Sequence, residues 1–153
     1  MKQTLKNSFA ALLLAVPMSA AVASGGHANY EKVDIDLRDQ VSLQHGAQIF
    51  TNYCLSCHSA SGMRFNRLKD IGLTEDEIKK NLMFTTDNVG DVMVAAMDPK
   101  DASKWLGAPP PDLTLIARSK GADYLYAYMR GFYKDPTRPN GWNNTVLAGA
   151  SMP

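Results

Sequence analysis

Cysteine is nearly absent from this 153-residue chain: there are two, accompanied by only three histidines. That scarcity excludes a disulfide framework. A structural zinc site built on the two thiols and His58 would need further ligands, and only His27 and His45 remain. A charge excess of either sign is also lacking, since the formal net charge is +1, and this gives no strong pull toward nucleic acid or an acidic surface. No segment alternates convincingly with period two, so no half-buried strand is predicted. Beyond the first 23 residues no apolar run reaches the roughly 20 residues that a spanning helix needs. Internal repeats and low-complexity tracts are missing as well.

What the chain does have is Cys54-Leu55-Ser56-Cys57-His58, a C-x-x-C-H stretch that uses both cysteines. Two thiols at this spacing on a helical turn can each add to one vinyl group of a porphyrin. The histidine directly after the second thiol then lies under the iron as its proximal ligand. Other uses of the pair fit less well. A C-x-x-C disulfide closes too small a loop to add much stability and leaves His58 without a role. A thioredoxin-like site wants its cysteines after a strand in a βαβ setting, which the pattern does not offer. Covalent haem c is the preferred reading.

The first residues read as a secretory signal. Lys2 and Lys6 form a positive start, Phe9 to Ala23 is apolar apart from Pro17 and Ser19, and Ala21-Val22-Ala23 supplies a small-x-small cleavage pattern. The expected domains are a signal peptide over 1–23 and a c-type domain over 24–153. The apolar run is too short for a membrane anchor, and Pro17 weakens it further. Export agrees with the haem reading, because thioether attachment needs reduced thiols and takes place outside the bacterial cytoplasm. Removing Lys2 and Lys6 with the signal takes the formal charge from +1 to −1. About 130 residues remain, enough for one domain with a modest core.

Along the chain, 24–41 reads as extended and polar. Ser42 is the expected N-cap of a helix carrying Leu43, Gly46, Ala47, Ile49, Phe50 and Tyr53 at helical spacing. Gly46 lowers helix propensity by about 1 kcal/mol against alanine, which points to close approach by another helix. The chain is expected to be loop-like from His58 to Gly62. Thr74 with Glu77 forms a capping box that opens a helix over Glu75 to Phe84. Glu75, Asp76 and Glu77 complement that helix's N-terminus, a commoner use than docking a basic partner. A short helix is expected near Val89 to Met97, ending before Pro99.

Gly107 to Leu113 contains Pro109-Pro110-Pro111, a stiff extended stretch able to wall one side of a flat ligand. Asp112 or Thr114 is expected to cap a short helix leading to Ile116. Ala122 to Phe132 is expected to be helical, with Tyr124, Leu125, Tyr128, Met129 and Phe132 on its apolar side. Residues 134–144 read as a Pro/Gly/Asn-rich loop. The predicted architecture is mainly α, helices and long loops, with a haem supplying much of the core.

The second axial position could be filled by methionine, by histidine, or left open. Met83, Met93, Met97 and Met129 fall within helical patterns, where gap-filling in a core is the default. Met63 is too close to the cysteines to reach the opposite haem face. Met152 lies in a loop after Ala148, Gly149, Ala150 and Ser151, small residues that let backbone approach a porphyrin. A thioether opposite histidine also raises the potential, as an electron carrier needs. The pattern favours Met152, with Met97 or an open position as alternatives. Arg118 and Lys120 are the candidate partners of haem propionates, and Tyr124 could add a hydroxyl.

Gly46-x-x-Ile49-Phe50 before Cys54-x-x-Cys57-His58, then Ala108-Pro109-Pro110-Pro111-Asp112-Leu113, Ala122-Asp123-Tyr124, Gly141-Trp142-Asn143-Asn144 and Ser151-Met152-Pro153, together resemble bacterial cytochrome c1. This is the haem subunit of ubiquinol–cytochrome c reductase. The likeness runs from about residue 30 onward. It implies a c-type cytochrome domain around one covalent haem, with Cys54, Cys57 and His58 holding it and Met152 as sixth ligand. Pro110, from the stiff proline stretch, is the residue expected to line the haem, while the likeness also implies that Arg118 or Lys120 meets a propionate. The family usually has arginine at the second of these two positions, and lysine lacks its planar fork.

The resemblance also implies electron flow from a Rieske iron–sulfur protein to this haem and on to a periplasmic cytochrome c, beside cytochrome b. No independent catalytic site is expected, and the location is the periplasmic side of the inner membrane. Family members continue into a further helix and a membrane anchor, which this sequence does not contain. The expectation is therefore a C-terminally truncated chain whose Gly46/Phe50 face is uncovered and whose Met152 is held weakly. A soluble single-haem periplasmic carrier is the alternative, and a haem enzyme with an open iron position is a third reading.

Overall fold

The computed structural model describes residues 29–152, so the expected signal peptide lies outside the described residues. The structure is mostly helical, with two short antiparallel strand pairs. Asp39, not Ser42, caps the first helix: its carboxylate accepts from the Ser42 amide, and α1 runs Gln40–Ile49. The two are close competitors by type, and the aspartate wins because it stands three residues before a free helical N–H. Helix α1 passes directly into a π-helical turn, Phe50–Cys54, closed by the Leu55 amide on the Phe50 carbonyl at 3.0 Å. Thr51 is buried there, its hydroxyl donating back to the Ala47 carbonyl at 3.1 Å. That turn carries the chain into the cysteine pair.

Strand β1 (Ala60–Arg64) follows where a loop was expected, and pairs with β2 (Val92–Met93), Ala60 opposite Met93 and Arg64 opposite Val92. No helix forms over 89–97. The Asn88 side chain accepts from the Gly90 amide and donates to Asp91, while the Asp91 amide reaches back to the Asn88 carbonyl, so the backbone turns. Such local side-chain bonds compete directly with a helix. Between the strands a 3₁₀ segment (Phe65–Ile71) leads to α2 (Glu75–Asn81). The capping box is present with both of its hydrogen bonds, although the helix stops before Leu82, short of the expected Phe84. Lys69 and Lys79 hydrogen-bond Glu75 and pull its carboxyl down to about 2.

Pro99 opens a helix instead of following one. Asp98 accepts from the Lys100 and Asp101 amides, proline occupies the first turn of α3 (Pro99–Leu106), and Gly107 takes φ +82° just beyond its end. Proline's missing N–H costs nothing at that position. Helix α4 (Ile116–Lys120) starts without a side-chain cap, so neither Asp112 nor Thr114 caps it. Helix α5 (Ala122–Arg130) ends two residues before Phe132, which begins β3 (Phe132–Lys134). The expected loop is instead a hairpin: β3 pairs with β4 (Trp142–Asn144), with Tyr133 opposite Asn143. Along α5, Tyr124 stacks on Tyr128 and Tyr128 meets Phe132 edge-on, while Met129 is exposed. The chain before α1 is tied to α5, since Asp123 accepts from the Lys32 ammonium at 2.7 Å and the Val33 amide at 3.0 Å.

The apolar core is Leu55, Ala60, Phe65, Leu68, Ile78, Leu82 and Met93, all from the first two thirds of the chain. Beyond residue 93 the only buried apolar residues among those described are Ala102 and Ala150. Helix α1 buries no residue completely, and a Cβ placed on Gly46 would meet nothing within 4 Å. Among the described residues, therefore, no helix makes the close approach expected at Gly46.

Candidate haem site

The site is built on the turn after the π-helical segment. The Cys57 and His58 amides both donate to the Cys54 carbonyl, at 3.1 and 2.8 Å, which gathers the two thiols and the imidazole on one turn. Leu55 between them is only 2% exposed and anchors the turn in the core. Both cysteines are free and half-buried, and burial raises the Cys54 thiol above its ordinary range. The thiols are thus unpaired and adjacent, as double thioether attachment requires.

His58 is oriented by the proline stretch. Its Nδ1 lies 2.8 Å from the Pro111 carbonyl oxygen. A carbonyl can only accept, so Nδ1 carries the proton and Nε2 keeps its lone pair for a metal. This is the outer-shell arrangement that fixes a ligating histidine. The carbonyl is itself held by a run of bonds between 111–114 and 58–62. Leu113 donates its amide to Ser59 at 2.7 Å, and Gly62 donates to the Thr114 hydroxyl at 2.9 Å. Asp112 accepts from the Ser61 amide and hydroxyl, at 2.8 and 2.6 Å, and from the Thr114 amide. A Cβ at Gly62 would clash with the Thr114 methyl, so a larger residue would have to displace Thr114 from its bond.

The Ser61 and Thr114 hydrogen bonds hold the Asp112 carboxyl far below the usual carboxylate range. A depressed carboxyl contributes stability above its unfolded pKa, about 3.9, and loses it as pH falls toward the folded value. Asp112→Asn is therefore expected to lower Tm at pH 7. That difference from the parent should persist from pH 8 down to about 4 and close in stronger acid, as followed by circular dichroism melts.

The other expected site residues are distributed as follows. Pro110 is half-buried in the stretch leading to Pro111. Arg118 and Lys120 both lie on exposed α4 positions, with the Lys120 ammonium 5.5 Å from the Tyr124 ring centre. Neither makes an ion pair among the described residues. Tyr124 packs between Tyr30 and Tyr128. Among the methionines, Met93 is buried in the core and Met83 packs against it, while Met97 is half-buried in an irregular segment and not in a helix. Met152 is half-buried in irregular chain after the β3–β4 hairpin.

The sequence pattern had not singled out Arg138. Its Nη2 donates to the Gly149 carbonyl at 2.8 Å, while its Nε is buried with no acceptor among the described residues. The only signal was a cation inside a turn-rich stretch, which is ordinarily solvated.

A family model described as the cytochrome C1 family matches residues 33–152. The chain belongs to the cytochrome c1 family. It is 49% identical over 144 residues to the ammonia monooxygenase gamma subunit of Nitrosomonas europaea, covering 93% of this chain and 62% of that protein. It is 48% identical over 145 residues to cytochrome c1 of Allochromatium vinosum, covering 94% of this chain and 59% of that one. To cytochrome c1 of Rhodospirillum rubrum it is 30% identical over 159 residues, covering 87% and 58%. The chain thus spans about three fifths of the length of these curated relatives.

Proteins of the cytochrome c1 family carry a covalently bound haem c. The residues of this chain fit that group. Two free thiols share one turn, an imidazole is locked with Nε2 available, and a buried guanidinium Nε lacks an acceptor among the described residues. The apolar side chains Tyr53, Val94, Trp105 and Leu115 are exposed, and the chain beyond residue 93 buries little of its own apolar surface.

Proposed function

We propose that this chain carries electrons through one covalent haem c as the haem-bearing part of a cytochrome c1. In that role electrons pass from a Rieske iron–sulfur protein, through this haem, to a periplasmic cytochrome c within ubiquinol–cytochrome c reductase. The observation that carries the reading is the His58–Pro111 hydrogen bond at 2.8 Å beside two free thiols. It leaves Nε2 free, in a fixed orientation, to ligate iron. Cys54 and Cys57 would form the thioethers, His58 and Met152 would be the iron ligands, and Pro110 would line the haem. Arg118, Lys120 and Tyr124 form its polar surround, with a basic residue of the α4 pair meeting a propionate. When bound, the haem supplies a one-electron couple, and a thioether opposite histidine raises its potential.

The chain is exported, its signal is cut before Ser24, and it works on the periplasmic side of the inner membrane beside cytochrome b. No helix among the described residues is long and apolar enough to cross a membrane. The name of the Nitrosomonas relative describes that protein. The residues gathered here support electron transfer through haem.

The test is the haem-loaded protein beside Met152→Ala. Haem should remain with the polypeptide on a denaturing gel, and the parent should titrate as a one-electron couple with a low-spin His/Met spectrum. Met152→Ala is expected to lose the methionine–iron charge-transfer band and to lower the potential. An unchanged spectrum in Met152→Ala would favour a haem enzyme with an open iron position. Absence of covalent haem would sink the reading altogether.

A further inference from the structure

We propose that Arg138 and Asn143 are positioning residues for Met152, pinning Gly149 from both sides so that the ligand segment has a fixed start. This rests on the reading of Met152 as the iron ligand. Gly149 stands three residues before Met152, at φ +80°. Its carbonyl accepts from Arg138 Nη2 at 2.8 Å, and its amide donates to the Asn143 side-chain oxygen at 2.8 Å. Both polar groups of this one peptide residue are therefore held by side chains of the hairpin region.

The Asn143 side chain is itself held, its Nδ2 donating to Asp135 at 2.8 Å, and the Arg138 backbone is turned by its amide on the Asp135 carbonyl at 3.1 Å. Neighbouring Asn144 is 1% exposed, donates to the Tyr128 carbonyl at 2.8 Å, and accepts from the Val146 amide at 2.8 Å and the Leu147 amide at 3.2 Å. Asn144 thus ties the connecting turn to α5, while Asn143 and Arg138 grip its far end. The Ala150 amide closes the turn on the Leu147 carbonyl at 3.2 Å, and Ala150 is buried.

A segment held this way presents Met152 from an anchored turn. A thioether on a loose tether competes poorly with external ligands for iron. One on an anchored tether keeps a high effective concentration.

The test measures imidazole affinity of the oxidised haem-loaded full chain, together with its reduction potential. Arg138→Met, which removes a charge-assisted bond, should tighten imidazole binding by about tenfold or more, Asn143→Ala, which removes a neutral exposed one, by about threefold, and both should lower the potential. Arg138→Lys keeps one donor for the Gly149 carbonyl and should recover most of the change. It also serves as the readout if Arg138→Met does not fold. If Met152→Ala alters imidazole affinity while Arg138→Met, Arg138→Lys and Asn143→Ala match the parent, the positioning role is wrong and the ligand reading stands. If Met152→Ala itself changes nothing, the ligand reading falls, and this proposal falls with it.

Discussion

Cys54→Ala with Cys57→Ala is expected to abolish covalent haem, and His58→Ala to leave haem attached but remove its low-spin proximal ligation. The reasoning lies in the separation of tasks on one turn. The thiols are free and adjacent, so each can form a thioether, and neither is needed to close the turn. That closure is made by backbone, the Cys57 and His58 amides on the Cys54 carbonyl. The double variant should therefore fold its apolar core and still show no haem on a denaturing gel. In His58→Ala the thioethers still form, but nothing on the turn replaces Nε2 at the iron. A high-spin spectrum, ready binding of added imidazole and a shifted potential are expected. Haem stain persisting in the double variant would remove the basis for the site.

How much of this was legible beforehand depended on how local the cause was. The turn that gathers Cys54, Cys57 and His58 and the Thr74–Glu77 capping box are set by residues within a few positions of one another, and the chain forms both. Strand β1 has no apolar alternation to announce it. It exists because β2 lies beside it and because Asp112 and Thr114 take up the Ser61 and Gly62 amides from 51 and 52 residues away. The false helix over 89–97 came from apolar spacing that the Asn88–Asp91 turn overrides. Proline ends helices more visibly than it starts them, but at Pro99 the Asp98 cap before it decides for a start. At the candidate site, the sequence points to His58 but not to its acceptor. A main-chain carbonyl 53 residues away leaves no mark on residue identity.

The expectation of a weakly held Met152 followed from an uncovered Gly46 face, and that face is open among the described residues. The two ends of the problem are nonetheless separate. Gly46 lies on α1 ahead of the cysteines, whereas Met152 follows a turn anchored to the hairpin by Arg138 and Asn143. Openness at one need not loosen the other, and the imidazole measurements above separate them.

Leu55→Ala is expected to destabilise the folded chain by about 2–5 kcal/mol and also to cut the yield of covalent haem. Leu55 sits between the two cysteines, is 2% exposed, and packs in the cluster that includes Phe65, Ile78 and Leu82. Truncating it removes buried methyl groups and leaves a cavity, a large loss against the 5–15 kcal/mol typical of a whole domain. Its second effect comes from position. The Leu55 amide closes the π-helical turn on Phe50, so a displaced Leu55 shifts the peptide from which both thiols project. Ile78→Ala separates the two effects: Ile78 is fully buried in the same cluster but lies on α2, away from the cysteines. Urea midpoints should fall for both variants, while haem per folded chain should fall for Leu55→Ala alone. Equal haem yields at matched stability would reduce Leu55 to an ordinary core residue. A selective loss would mean that the apolar residue inside the C-x-x-C spacing sets where the haem is attached.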